Sequence, residues 1–573
     1  MRDIQWRAWS DAAFDESKAT GKPVLLSISA AWCHWCHVMD ETTYSDPVVT
    51  SLINEHFIPV RVDTDRNPDI NARYNMGGWP STVFLTHERE IIAGATYVPP
   101  DEMVKILQRV STAYTSRTES ILAQAREFRT EREQRESALQ PGKVGIKDVE
   151  NILASIRSSY DKDYGGFGTD YKFPFPDVLA LLLISFERTR KERDLEMVVH
   201  TLERMLQGEI FDKVEGGMFR YATKPDWTEP HYEKILGDNA DMAFVLLETY
   251  RLTGREEFLQ TALGIFQYAE KTLRDEKTGL FFGSQDAVES YYKADEAGRK
   301  RMQPPDVDTA AYTSSNAAMV KAYLKLWGTA KEPHARDRAL DIVSFLNNLD
   351  RGPDDTVCRY YEDNKPHGFG ILADHASLML ANVECYEATG RDEYIDVAKD
   401  LALSLECFAA ESGGLYDISA ARAHERGLSR SNLPLDDNAI AAIALTKLGR
   451  LTDDRSYADR AEAILDSLAT QYQDYGIAAA LYGIAVTLVV SEPIVITVRA
   501  SSDKPAREKF LQASMGLCNS TCTVRVEEDL AKGEDVAAIV CVGSSCLGRV
   551  TDPDKLAEQL AAAYAVSRVP SRD

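Results

Sequence analysis

Two cysteines three residues apart, Cys33 and Cys36, stand where an apolar run gives way to a stretch of helical character. The run PVLLSISA (23–30) follows a Gly-Lys-Pro turn and reads as a buried strand, and WCHWCHVMDETTYSD reads as the helix after it. Cys33 then sits at a helix N-terminus, where free N–H groups and the macrodipole favour a thiolate. The spacing puts the second sulfur one turn further along the same face, placed to resolve a mixed disulfide formed at Cys33. His34 and His37 flank the pair and, when charged, would stabilise a thiolate. The same pattern also suits inert thiols or half a zinc site. Zinc needs two further ligands, and His34 and His37 lie too close along the chain to supply both easily. Strand before and helix after select the redox reading.

Further strands are expected at FIPVRVD (57–63), STVFLT (81–86) and within EIIAGATYV, the last broken at Gly94. With a long helix after Asp101 this is a small α/β sandwich. MGGWPST places Pro80 directly before a strand, where it gives up a ladder bond and is a candidate for a cis peptide. Here the sequence resembles the thioredoxin superfamily. That resemblance implies that Pro80 faces the redox pair and that Trp79 forms the adjoining substrate surface. It departs from thioredoxin in carrying His-Trp between the cysteines, and Ser27 where thioredoxin has a buried aspartate.

The elements that follow are different. Residues 117–140 are highly charged, and PGKVG (141–145) marks a boundary. Then one pattern recurs: a Gly/aromatic turn, an Asx beside alanine, and an apolar helix. Its anchors Asp177, Asn239, Asn316, His375 and Asn438 are 59 to 77 residues apart, and amphipathic helices such as 193–207, 335–349 and 454–470 lie between them. Stacked helix pairs form an open solenoid or close into a toroid. The long loops, rich in Gly, aromatics and Asp, favour an α/α barrel with a pocket at one end. Single Gly-Gly-aromatic turns can also be plain helix stops.

GGFGTDYKFPFP, GGMFRYATKPDWTEPHYEKILGDNA, LPLDDNA and AAIVCVGSSCLGRVTDP resemble the spermatogenesis-associated protein 20-like, or YyaL-like, family. The resemblance covers nearly the full chain. It implies a multidomain protein: an α/β thioredoxin-like domain, an all-α (α/α)6-type, glycosidase-like toroid, and a small α/β C-terminal part. The ranges expected are 1–125, a charged linker 126–145, 146–490 and 491–573. Lys172, Trp227, His231, Glu233, Lys234, Asp238 and Asn239 fit the family's pattern. LADHA, with Asp374 and His375, stands where relatives often carry an acidic pair. Catalytic candidates beyond the cysteines are therefore His231, Glu233 and Asp238, with Trp227 and His375 as ligand-binding residues. Asp238, Asp436 and Asp437 precede long apolar helices, and capping is the default role for aspartates there.

The chain's 573 residues include 65 basic and 90 acidic ones, a formal net charge of −25. That balance argues against a nucleic-acid partner and against an anionic membrane surface. No run of 18 apolar residues occurs; GIAAALYGIAVTLVVSEPIVITV reads as a buried helix followed by a strand. Strands are expected at 493–500 and 536–542, with a helix between them. Cys518/Cys522 and Cys541/Cys546 have spacings open to a four-thiolate metal site, with free thiols the stronger reading. A leaderless start and nine cysteines suggest a reducing cytoplasm. The sequence calls for no cofactor and no metal. The partners it suggests are a thiol or disulfide protein and a carbohydrate or other small molecule. A binding or regulatory protein without catalysis is the alternative.

Overall fold

The computed structural model describes residues 3–138, 141–500, 504–528 and 536–567, and its contacts divide into two compact units. The first takes in Met1–Gln140 together with Gln285–Glu289 and Ile418–Ser431. The second contains the rest of the chain.

In the first unit the apolar run forms β1 (Val24–Ser29), the centre of a four-stranded sheet with β2 (Ile58–Asp63), β3 (Ser81–Leu85) and β4 (Ile91–Ala95). The order is β2-β1-β3-β4, with β1 parallel to β2 and antiparallel to β3. β1 and β3 are buried along nearly their whole length, as expected of strands covered on both faces. β4 is mostly exposed and pairs straight through Gly94; the irregularity falls instead between Phe84 and Leu85. Met76 lies where a Gly94 side chain would have to go. The helices are α1 (Asp11–Thr20), α2 (His34–Thr42), α3 (Pro47–His56), α4 (Pro68–Tyr74) and α5 (Pro100–Ala138). α5 continues through most of the charged segment read as a linker. Asp69, at the start of α4, is fully buried against Arg422, 2.9 Å away, and Arg426. Burial works against its ionisation, but the two guanidiniums outweigh it and hold the carboxyl below its usual range.

The second unit contains the predicted helix pairs, and they close. Pro176–Thr189, Leu236–Thr253, Thr313–Ala330, Leu372–Thr389, Leu435–Thr452 and Ala480–Val490 form an inner ring in which each packs on the next and the sixth packs on the first. Glu192–Gln207, Glu256–Tyr268, Ala335–Asn347, Asp392–Ser404 and Arg455–Leu468 back the first five, and Ile146–Ser159 backs the sixth. Helices buried on most sides must be largely apolar all round, as the first and sixth inner ones are. The apolar C-terminal run is the sixth inner helix, followed by a strand.

The recurring anchors fasten the ring to its turns. Asn239 accepts the Met218 N–H at 2.7 Å and donates to the Met218 and Ile235 carbonyls. Asn316 does the same with Phe281 and Tyr312, and Asn438 with Leu415 and Pro434. An amide carries both an acceptor and two donors, so one side chain satisfies two backbone groups of a buried turn and one at the start of its own helix. His375 breaks the pattern: it is fully buried, and its Nε2 lies 2.9 Å from the Leu401 carbonyl.

The C-terminal part closes one end of the ring. Strands Ile494–Arg499, Cys522–Glu527, Ala537–Val542 and Ser545–Cys546, with helices Lys504–Leu517 and Leu556–Val566, form a sheet whose order and strand directions repeat those of the N-terminal sheet. Buried charges hold it. Lys325 donates to the Gly516 and Cys518 carbonyls and pairs with Glu248; Glu187 accepts from Asn519, and Glu387 accepts the Val524 N–H. Arg251 joins Glu187 to Glu248, and Lys447 pairs with Glu387 at 2.8 Å. The four cysteines here form two disulfides, Cys518–Cys522 and Cys541–Cys546, in place of the thiols or metal site expected. Cys541 and Cys546 face each other across a hairpin.

Candidate functional site

Cys33 occupies the N-cap of α2 and is bonded to Cys36. The Cys36 N–H points at Cys33 Sγ, 3.2 Å away, and the Cys36 and His37 N–H groups also reach the Cys33 carbonyl. Helix N-terminal N–H groups aimed at a sulfur are what lowers a thiol's affinity for its proton. Both cysteines are largely covered, at 4% and 3% exposure, while Trp35 between them is 46% exposed. The Trp79–Pro80 peptide is cis. The turn before it is shaped by Asn75, whose side chain accepts from the Gly77 and Gly78 N–H groups, and Trp79 packs edge-on to Trp32. Trp32 donates to Asp65 at 2.7 Å. His34 and His37 are exposed; His37 lies 3.4 Å from Asp286 and 3.1 Å from the Ala31 carbonyl. Ser27, at the position of thioredoxin's aspartate, is buried near Tyr44, whose hydroxyl pairs with Thr82 at 2.9 Å. Asp65 and Asp286 carried no signal in the sequence, because each reaches the site from a distant segment.

The toroid's expected residues divide. Trp227 is fully buried, packs on Gly166 and Gly208, and donates its indole N–H to the Tyr164 carbonyl at 2.9 Å. It has no free face for a ligand, so the expected stacking role is withdrawn, as is the binding role of the buried His375. Burial pushes the His375 imidazole down to about 4, so it stays neutral. Lys172 and Lys234 are also fully buried and tie their Gly-Gly turns to Asp161 and Asp212, each at 2.7 Å. His231 remains partly open, with Nδ1 3.5 Å from the buried Glu233. It stacks on Tyr221 (centroids 4.4 Å), which stacks on Phe173 (4.6 Å), beside the exposed Tyr171. Asp238 is exposed in the first turn of the second inner helix and makes no cap; the N-cap there is Ile235. Asp436 and Asp437 likewise follow the N-cap Pro434. These aspartates complement helix N-termini without capping them.

The inner ring encloses a cavity of about 240 Å³ that these candidates do not line. Its polar walls are Asp177, Asp241, Ser314, Ser315, Lys321, Ser377, Glu384 and Lys447; its apolar ones include Phe244, Leu380, Ile440 and Ile443. Ser520, within the Cys518–Cys522 loop, also lines it. Burial, reinforced by Asp177, pushes Asp241 up to about 7, and burial pushes Glu384 up to about 7 against the pull of Lys447 and Lys321. The signal for this set was faint but present: single charges inside otherwise apolar helices, as in NAAMVKAYLKLW and LMLANVECYE. Among the described residues, no group of three or more His, Cys, Asp or Glu side chains stands in metal-holding geometry.

Residues 1–132 match the family model Thioredox_DsbH, described as a protein of unknown function, DUF255. Spermatogenesis-associated protein 20 of Rattus norvegicus is 31% identical over 310 residues, 50% of this chain and 39% of that protein. The chain therefore aligns with about two fifths of that relative's length. The disulfide bond reductase DsbH of Chlamydia pneumoniae is 25% identical over 109 residues, 17% of this chain and 65% of that protein. Among solved structures, a D-mannose isomerase resembles the chain with a TM-score of 0.48 and 14% identity, over 59% of this chain and 96% of that one.

Proposed function

We propose that this chain, which over half of its length is 31% identical to spermatogenesis-associated protein 20 of Rattus norvegicus, carries out thiol–disulfide exchange at Cys33 and Cys36. The observation that carries the reading is the N-cap position of Cys33 with the Cys36 N–H directed at its sulfur. In the reducing direction the Cys33 thiolate attacks one sulfur of a partner disulfide. The partner's S–S bond breaks, one partner thiolate leaves and takes a proton, and a mixed disulfide remains. Cys36 then attacks Cys33 Sγ, so the second partner thiol departs and the Cys33–Cys36 bond holds the two-electron oxidation. The reverse sequence oxidises a dithiol partner. The reductase name of the Chlamydia pneumoniae relative supports the first direction. Trp35 and the Trp79–Pro80 turn supply an apolar surface for the partner chain. The test uses full-length protein with Cys36→Ser, treated with oxidised glutathione and mapped by mass spectrometry. A glutathione adduct on Cys33 that dithiothreitol removes is the expected result; an unmodified Cys33 in folded protein contradicts it.

A second role for the toroid is favoured by the ring stack Phe173–Tyr221–His231 next to Glu233. Stacked rings with a carboxylate beside them suit a carbohydrate or another flat, hydroxylated ligand. Tyr171 is 60% exposed at the edge of the stack. Tyr171→Ala should weaken binding of soluble oligosaccharides, read by tryptophan fluorescence, and leave the melting temperature unchanged.

A further inference from the structure

We propose that the cavity enclosed by the inner helices is a binding site for a small amine, held as its ammonium ion by Asp177, Asp241 and Glu384. The proposal is independent of the cysteine pair and of the ring stack.

Charge is the first argument. Among the described residues lining the cavity, three carboxylates face two ammonium groups, and one of those, Lys447, is already paired with Glu387 at 2.8 Å. Lys321 lies 4.1 Å over the Phe244 ring and is shared electrostatically by Asp177, Asp241 and Glu384. Lys321 is therefore shared by three acids, of which only Glu384 also draws on Lys447, in a setting where unbalanced charge is costly. A second positive charge from a ligand would restore the balance.

Position is the second argument. Carboxylates in the first turn of a helix need no ligand to account for them, since they answer the helix dipole. Asp177 is such a residue. Asp241 lies beyond the first turn of its helix, and Glu384 lies in the C-terminal half of Leu372–Thr389. Neither caps anything, and both project from inner helices into one space.

Size and lining complete the case. At about 240 Å³ the cavity falls below the roughly 300 Å³ at which pockets for drug-sized ligands begin. It suits a molecule of metabolite size, not a polymer. Leu380, Ile440 and Ile443 offer the carbon skeleton an apolar wall, and Ser315 and Ser377 can accept further N–H groups or bond hydroxyls.

The test pairs each amine with a neutral analogue of similar shape: putrescine with 1,4-butanediol, and glucosamine with glucose. Binding to the full-length protein is measured by titration calorimetry at pH 8. At least one amine should bind, with its neutral analogue at least about tenfold weaker, and Asp241→Asn or Glu384→Gln should each cost about tenfold in affinity. Lys321→Met should tighten the amine, because it removes the competing cation. That sign separates the proposal from a site for neutral or anionic ligands, in which Lys321 would be a donor and its loss would weaken binding. Equal or tighter binding of the neutral analogue, weaker amine binding by Lys321→Met, or no binding of either amine overturns the proposal. Circular dichroism confirms that each variant is folded, and Lys321→Met carries the test if an acid variant is not.

Discussion

Asp241 and Glu384 show how one residue's setting can outweigh its type. Both carboxyls are held near 7 by burial, Asp241 with help from Asp177. Each therefore binds a proton in the folded protein across a pH range where the unfolded chain has lost it. Their contribution favours folding on the acid side and is lost as pH rises through about 7. Glu384→Gln should accordingly raise the melting temperature at pH 8 by a few degrees and change it little near pH 5, as followed by scanning calorimetry. A variant equally stabilised at both pH values contradicts the assigned ionisation. Single residues were read from sequence with uneven success, for a physical reason. The helix-start position of Cys33 and Cys36 and the cis peptide before Pro80 are legible because each lies within a few residues of its own strand, β1 or β3. Trp227 is not, because two glycines from other turns, Gly166 and Gly208, make the slot that buries it. Asp65 and Asp286 reach Trp32 and His37, the neighbours of the redox pair, from segments that no spacing rule connects.

At the scale of elements, the spacing of the anchors already indicates the helix pairs, while the chemistry of the anchors does not show in the spacing. An Asx before alanine looks like a cap. In the structure Asn239, Asn316 and Asn438 instead lie inside their helices and clamp the preceding Gly/aromatic turn through two hydrogen bonds each, with a third to the carbonyl that opens their own helix. Asn438→Ala should therefore destabilise by about 2–4 kcal/mol, since it leaves buried groups of the turn unpaired. Asp436→Asn, in the same first turn but exposed, should cost less than about 0.5 kcal/mol. Denaturant titration of both variants checks the contrast. The fourth inner helix shows that the clamp is not obligatory: His375 fills the position by bonding to the Leu401 carbonyl instead.

The described residues contain the same sheet topology twice, once with a cysteine pair at the start of α2 and once as the part that closes one end of the toroid. The second sheet's likeness to the first was hidden from sequence reading because its strands share neither the motif nor the Trp-Pro turn. Its hold on the ring rests on buried charges from several inner helices. Removing Lys325 leaves Glu248 with Arg251 alone and three carbonyls of the 515–518 segment without their donor. Lys325→Met should cost about 3–5 kcal/mol and show as an early loss of hydrogen-exchange protection in 494–499 and 537–542. The central claim, however, concerns the first sheet and the sulfur at its edge. The most direct test is the pH dependence of Cys33 alkylation by iodoacetamide in the reduced full-length protein, read by peptide mass spectrometry. A thiolate stabilised at the α2 N-cap predicts a reactivity midpoint well below the ordinary thiol value of about 8.5. A midpoint at or above that value, or a Cys33 that reacts only on unfolding, would contradict a redox role for the pair.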